Sequence, residues 1–434
     1  MATIQPANAN TVGTLNGLFK EVYAQDIKDL VPSQVKMINL VPFSAGEKQL
    51  GNQFNEPVIL GLEGGFTYGG TDGEAFALND IISFPMKNAT VKSAELVLRS
   101  AISVGAASRS VSSKNAFERG TKLLVGNMLK SMYHRLEIQM MYGGAAKGIG
   151  EVESISGAGS NVIKIEDQEW ASGIWVGVKA RIDIYDATGA TQRNPGTDLY
   201  VKSFSIKDRT VTVTNAGGAA IDLSALSVVA TDIIHFQGAK GKEFLGLHAI
   251  AATEGTLFGI DNTNEPLFKG NIVDVGASSA APALLNFAIV EEAVAASVEK
   301  GLGEESVSVM VNVNSWNDLL TEQQAKRRYD SSHSTGTQED GSRVIKFYGQ
   351  AGEIEIVPST FVKEGYAYCF CKKDLIRVGS SDVTFDPPGY EGEFFKLLEN
   401  ANGYEMRAYS DQCLFTSRPS CITVLQYIKN SAHS

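Results

Sequence analysis

Cys369 and Cys371, within the run Tyr-Ala-Tyr-Cys-Phe-Cys, are side chains whose type could bind a metal or exchange a disulfide. No Cys-x-x-Cys and no nearby histidine completes a zinc set, and spacing two in a strand puts both thiols on one side, with Tyr366 and Tyr368 on the other alternation. They read as buried free thiols. Cys413 and Cys421 could approach across a hairpin, where a reducing cytoplasm disfavours a disulfide. Gly148-x-Gly150 lacks a third glycine and follows a helical pattern, so it is no dinucleotide loop, and Lys240-Gly241-Lys242-Glu243 lacks the Ser or Thr of a phosphate loop. Neither Gly-x-Ser-x-Gly nor His-Glu-x-x-His occurs. His134, His235, His248, His333 and His433 are scattered singly and read as structural. The adjacent acids Glu291-Glu292 and Glu304-Glu305 diverge on a helix or turn and read as solvated, not as a glycosidase pair. Asn88-Ala-Thr90 is a glycosylation triplet without secretory context. No catalytic, cofactor-binding or metal-binding residue is expected, and no enzyme.

Composition narrows the class. At 434 residues, 43% hydrophobic and 20% charged, the chain can build two or three cores. A net charge of -11 disfavours a general nucleic-acid binder. No signal peptide is visible, and the most apolar run, residues 280–298, carries Asn286, Glu291 and Glu292, so no membrane span and cytoplasmic synthesis are expected.

The element that stands out is glycine-punctuated, residues 51–105. Strand-like flanks at 53–60 and 81–104 enclose a tip in which Gly61, Gly64, Gly65, Gly69, Gly70 and Gly73 leave too few side chains for a core. It reads as a projecting hairpin that must lie on another molecule. A helix over residues 113–142 follows, with Leu124, Met128, Met132, Leu136 and Met140 at spacing four, spanning ~45 Å. Before the hairpin, residues 1–46 read as an arm, with a helix carrying Leu15, Leu18, Phe19, Val22, Tyr23 and Ile27 on one face.

Residues 151–238 turn to short strands, at 152–155, 162–165, 174–185, 199–206, 210–214 and 232–236, with turn signals between and glycine seams on both sides. This reads as an inserted small β-barrel or sandwich that folds by itself. Afterwards an α/β pattern resumes. A helix face runs Leu284, Phe287, Val290, Val294, Val298, and a half-buried strand spans 306–313. A helix capped by Asn314 or Ser315 ends at Lys326-Arg327-Arg328, residues 331–342 form an exposed loop, and strands follow at 353–357, 366–371, 375–378, 404–409 and 422–428.

This order of parts, with Leu18-Phe-Lys-Glu-Val-Tyr23, Leu30-Val-Pro32, Val41-Pro-Phe43 and Gly65-Phe-Thr-Tyr68, resembles the major capsid protein of tailed bacteriophages, the Hong Kong 97 fold. The resemblance implies an α+β subunit. Its parts would be an N-terminal arm (1–46), an extended E-loop (47–106), a P domain with the spine helix (107–150), the inserted β domain (151–238) and a P-domain continuation (239–279). An A domain (280–400) and P-domain return strands (401–434) would complete it. It implies a virion component, assembled in the host bacterial cytoplasm through pentamers and hexamers into an icosahedral shell around double-stranded DNA, which it would touch weakly and non-specifically. Its partners would be a portal, a decoration protein and a separate scaffolding protein, since no fused scaffold-like coiled coil is visible. The E-loop tip residues Leu62, Phe66, Tyr68 and Phe76 would form the assembly interface, and Leu124, Met128, Met132 and Leu136 the spine packing. No Lys and Asn pair is assignable to a covalent cross-link.

Two other readings fit the sequence. An encapsulin-like compartment shell would share the fold but enclose protein cargo. A carbohydrate-binding protein or hydrolase could use Trp170, Trp175 and Tyr185 of the 151–238 module.

Overall fold

The computed structural model describes residues 35–44, 53–103, 114–157, 159–177, 179–303, 305–329, 345–385, 396–397 and 402–431. The readings at residues 1–34 and 331–342, at Glu304, His333 and His433, and at the side chains of Lys326, Arg327 and Arg328 lie outside these.

A one-turn helix, α1 (Met37–Leu40), precedes a two-stranded antiparallel ribbon of β1 (Phe54–Ile59) and β2 (Met86–Val91). Residues 60–85 join the two without regular secondary structure. The strand expected over 81–104 is therefore shorter and divided: 81–85 is not strand, and β3 (Ala94–Ser103) leaves the ribbon to join another sheet. The helix α2 (Lys114–Tyr142) matches the expected span, and its apolar stripe turns inward, with Met128, Met132, Leu136 and Met140 buried and Leu124 half-buried.

Six strands then close into a barrel in the order β4-β5-β8-β7-β6-β9. They are β4 (Gly150–Ser156), β5 (Val162–Ile165), β6 (Arg181–Tyr185), β7 (Leu199–Ser205), β8 (Thr210–Thr214) and β9 (Ile233–Phe236). Ile163, Ile165, Ile182, Ile184, Leu199, Val211, Val213 and Ile234 are buried, which is how a small barrel fills itself with alternate side chains. The strand expected over 174–185 forms only from Arg181, and its alternation is incomplete because Asp183 is buried between Ile182 and Ile184. Upstream, the chain forms α3 (Ser172–Trp175), because Gly173 N–H donates to Thr360 O at 2.8 Å and pins that turn to a distant strand end. The module does not stand apart. Glu364 N–H donates to Trp170 O and Gly365 N–H to Gln168 O, both at 2.9 Å, and barrel side chains share one apolar cluster with α2 and the main sheet.

After α4 (Leu247–Ala252), the hairpin β10 (Thr256–Leu257) and β11 (Ile260–Asp261) meets the ribbon where Thr90 N–H donates to Phe258 O. The remaining elements are β12 (Asn271–Asp274), β13 (Ala283–Leu284), α5 (Phe287–Glu299), β14 (Val307–Asn312), α6 (Val313–Tyr329), β15 (Ile345–Gly349), β16 (Gly352–Ser359), β17 (Ala367–Cys371), β18 (Leu375–Thr384), β19 (Lys396–Leu397), β20 (Gly403–Thr416), β21 (Thr423–Gln426) and β22 (Ile428–Lys429). A six-stranded sheet runs β12-β21-β17-β14-β16-β15, and a second, antiparallel sheet centres on β20 between β18 and β3.

The strand β14, expected half-buried, is buried at all six positions. Val307, Val309 and Val311 face the cluster that includes Val290 and Val294 of α5 and Leu319 of α6, and Met310 faces the cluster of α2 and α4. A central strand covered on both faces is buried at every position, Ser308 and Asn312 included. The cap of α6 also moves, since Asn312 Oδ1 accepts from Asn314 N–H and the helix starts before the expected Asn314 or Ser315. Asn286 caps α5 by accepting from Ile289 N–H, and Leu284 belongs to β13 instead of that helix.

Candidate assembly interface

Residues 60–85 expose one large apolar side chain after another: Leu62 92%, Phe66 70%, Tyr68 91%, Leu78 82% and Ile81 95%. Phe76 is exposed too. Burying each would contribute about 1.5–3 kcal/mol, and contiguous apolar exposure of this kind marks an interaction surface. The segment nevertheless holds its own shape. Leu60 N–H donates to Pro85 O and Gly64 N–H to Ile82 O, which closes the base of the loop. Nearer the tip, Asn79 N–H donates to Thr67 Oγ1 at 2.8 Å and Asn79 Nδ2 to Phe66 O at 2.9 Å. The Phe76 ring lies against Gly69, where a Cβ would come within 2.3 Å of it, so a larger residue there would push the ring aside. The segment carries Glu63, Asp72, Glu74 and Asp80 and no lysine or arginine, which gives its apolar surface an acidic rim.

Below the ribbon, the spine α2 organises its neighbours. Met128 packs with Met406 and Ala408 of β20, and Met132 and Leu136 enter the main cluster. One turn on, the Glu137 carboxylate accepts from the N–H groups of Lys36, Met37 and Ile38 at 2.8, 2.7 and 3.0 Å. It thereby satisfies the unpaired amides at the start of α1. The other end of this short segment is held by Arg377, whose Nε donates to Val41 O and whose carbonyl accepts from Ser44 N–H. Burial raises the Glu137 carboxyl pKa, and the three amides work against that rise. Sequence reasoning missed Glu137 because a lone acid on an apolar face carries no periodic signal.

A polar seam joins barrel, spine and main sheet. Lys363 Nζ, 2% exposed, donates to Glu169 Oε2 at 2.6 Å and to Gly148 O at 2.9 Å. Tyr366 OH donates to Glu169 Oε1, and Lys147 lies 3.3 Å from the same oxygen. Burial pushes the Glu169 carboxyl upward, but Lys363 and Lys147 outweigh it and hold the group at about 2. Beside it, Arg209 pairs with Glu364 at 2.7 Å and with Asp167 at 2.9 Å. Each charge in the seam has a protein partner, so the arrangement locks three elements together.

The isolated histidines lie where structural groups belong. His134 Nε2 contacts Gly173 O at 2.8 Å, and His248 Nδ1 contacts Tyr368 OH at 3.0 Å. Burial, with nearby lysines, lowers His235 and His248 to about 4. Trp170 and Trp175 are stacked on each other and fully buried, so two of the three aromatics behind the carbohydrate-binding reading belong to the core, while Tyr185 is half-buried. Cys369 and Cys371 face the α5 side and Tyr366 and Tyr368 the α2 side, as the alternation requires, and all four cysteines are free and buried. Glu291 and Glu292 are exposed, whereas Glu305 is not the solvated acid expected: it is half-buried and pairs with Arg418 at 3.0 Å. No described helix is long and apolar enough to cross a membrane.

Neither family models nor curated proteins compared by sequence match the chain. Solved structures do match. The capsid asymmetric unit of cyanophage A-1(L) is similar at a TM-score of 0.59 and 12% identity, covering 96% of this chain and 99% of that one. The capsid of cyanophage P-SCSP1u gives 0.48 and 12%, covering 99% and 100%, and that of an empty GTA particle 0.49 and 10%, covering 97% and 99%. The chain thus has a mixed α/β fold similar to that of the cyanophage A-1(L) capsid protein.

Proposed function

We propose that this chain is the major capsid protein of a tailed phage, a structural subunit that assembles through pentamers and hexamers into an icosahedral shell around double-stranded DNA. The observation that carries the reading is the loop of residues 60–85, an apolar surface that none of the described residues covers, on a fold shared over 96% of the chain with a phage capsid subunit. A fixed surface left open on an identical subunit is satisfied by a neighbour, so closed symmetric assembly and burial of the loop share one driving force. Leu62, Phe66, Tyr68 and Phe76 would make those contacts, and Leu124, Met128, Met132 and Leu136 would stiffen the spine that carries the ribbon. Residues 47–106 would be the E-loop, 107–150 and 239–279 the P domain, 280–400 the A domain and 401–434 the returning strands.

On this reading a separate scaffolding protein, a portal and a decoration protein act on the same shell, and the DNA is held by weak contacts, in line with a net charge of -11. Sedimentation velocity of the purified protein tests the self-association: pentamers, hexamers or shells are expected, and a 46.5 kDa monomer at every concentration overturns it. Nuclease-protected DNA in particles from infected cells supports the genome shell. Protein cargo in its place would favour a compartment shell.

A further inference from the structure

At the rim of the six-stranded sheet, three donor side chains from two chain segments converge. Cys371 ends β17, Asp374 sits in the turn that follows, where its N–H donates to Cys371 O, and Glu305 precedes β14. Their ligand atoms all lie within 4.8 Å of one another. Cys421 closes the short 3-10 turn Pro419–Cys421 just before β21, whose Thr423 is the register partner of Cys369. Cys371 and Cys421 are 1% and 2% exposed and share one apolar cluster. Cys421 is close enough to Asp374 for each to alter the other's proton affinity.

Asp374 supplies a second, independent observation. Its side chain is 9% exposed, and while Oδ1 accepts from Arg418, Oδ2 is buried with no hydrogen-bond partner. A buried carboxylate oxygen without a donor is costly unless a cation meets it. Arg418 meets only part of the need, because its Nη2 is shared among Asp374 Oδ1 and both oxygens of Glu305. Its side chain is 38% exposed and has room to swing outward.

We propose that Cys371, Asp374 and Glu305 form a site for a divalent cation of the zinc type, with Arg418 as the gate that the ion displaces. One sulfur and two carboxylate oxygens, with water as the fourth ligand, suit zinc, and a tetrahedron with bonds of about 2.0–2.3 Å has edges of roughly 3.3–3.8 Å. These three donors, all within 4.8 Å of one another, need close by only about 1 Å. Binding would staple β17 to the start of β14 and would release the Cys371 thiol proton.

The test uses the full-length protein, stripped with chelator under a phosphine reductant and titrated with Zn2+ alone, then with Cd2+, whose thiolate absorption reports sulfur ligation directly. One ion per chain, a thiolate band and a rise in melting temperature are expected. Cys371→Ser should weaken binding by more than the roughly 10–100-fold that loss of an outer-shell partner costs. Arg418→Gln removes the competing cation. It should bind Zn2+ more tightly and regain its melting temperature when the ion is added. If Arg418→Gln is destabilised and Zn2+ restores nothing, or if Cd2+ gives no thiolate band with the wild type, the cluster is an ion-pair network and the proposal fails.

Discussion

Glu169 keeps its charge where burial argues against it, and Lys363 is the reason. A buried pair of this kind costs several kcal/mol to desolvate and adds little net stability, yet removing one partner strands the other. Glu169→Ala should therefore destabilise the subunit by about 3–5 kcal/mol, whereas the double variant Glu169→Leu/Lys363→Met should lose less than Glu169→Ala alone. Chemical denaturation of the variants checks both. The pH dependence has its own sign. Because the Glu169 pKa is held down to about 2, its contribution is fully present above pH ~4.3 and is lost only as pH falls toward 2. His248 acts in a different window. Burial first, then Lys363, lower it to about 4, so between pH ~6.5 and about 4 the unfolded chain binds a proton that the folded one refuses. Stability falls as the pH drops through that window. The groups around the ring are Tyr142, Tyr366, Tyr368, Lys363, Lys147 and Glu169. Replacing His248→Gln should flatten the slope of melting temperature against pH between 6.5 and 4.5, and an unchanged slope would show that the imidazole is not responsible.

Among the elements, those with a local period were legible in the sequence. The stripe Met128, Met132, Leu136 turned inward as written, and the strand patterns at 162–165, 199–206 and 210–214 match β5, β7 and β8. The misreadings share one cause, contact with something distant in the chain. Residues 172–175 fold as a helical turn because Thr360 holds Gly173, and β14 is buried throughout because helices cover both of its faces. The seam residues Lys363 and Glu364 had no signal at all, since their partners lie in the barrel. The exposed tip was legible for a physical reason: six glycines in thirteen residues cannot bury a core. Deleting Leu62 to Glu74 should leave the subunit's circular dichroism and melting intact while abolishing shells. Normal particles from that deletion would place the interface elsewhere. Replacing residues 151–237 with a Gly-Ser linker should have the opposite character. It strips Lys363 and Glu364 of Glu169 and Arg209 and removes Trp170 and Trp175 from the shared core, so the expected product is insoluble. A soluble, cooperatively melting product would show that the barrel is dispensable to the fold.

At the scale of the whole molecule, a subunit of net charge -11 repels its copies, and its loop brings four of those acids to any contact it makes. The apolar tip must outweigh that repulsion. At 0.15 M salt, where charges are screened beyond about 8 Å, burial of Leu62, Phe66, Tyr68, Leu78 and Ile81 against a neighbour offers on the order of 10 kcal/mol per copy. Assembly should accordingly improve from low to moderate salt. The measurement that tests this account most directly is electron microscopy of the purified full-length protein at moderate salt. Closed shells, or five- and six-membered rings, with the loop of residues 60–85 lying on an adjacent copy, are the predicted result. Dispersed single subunits, or assemblies in which that loop stays in solvent, would contradict it.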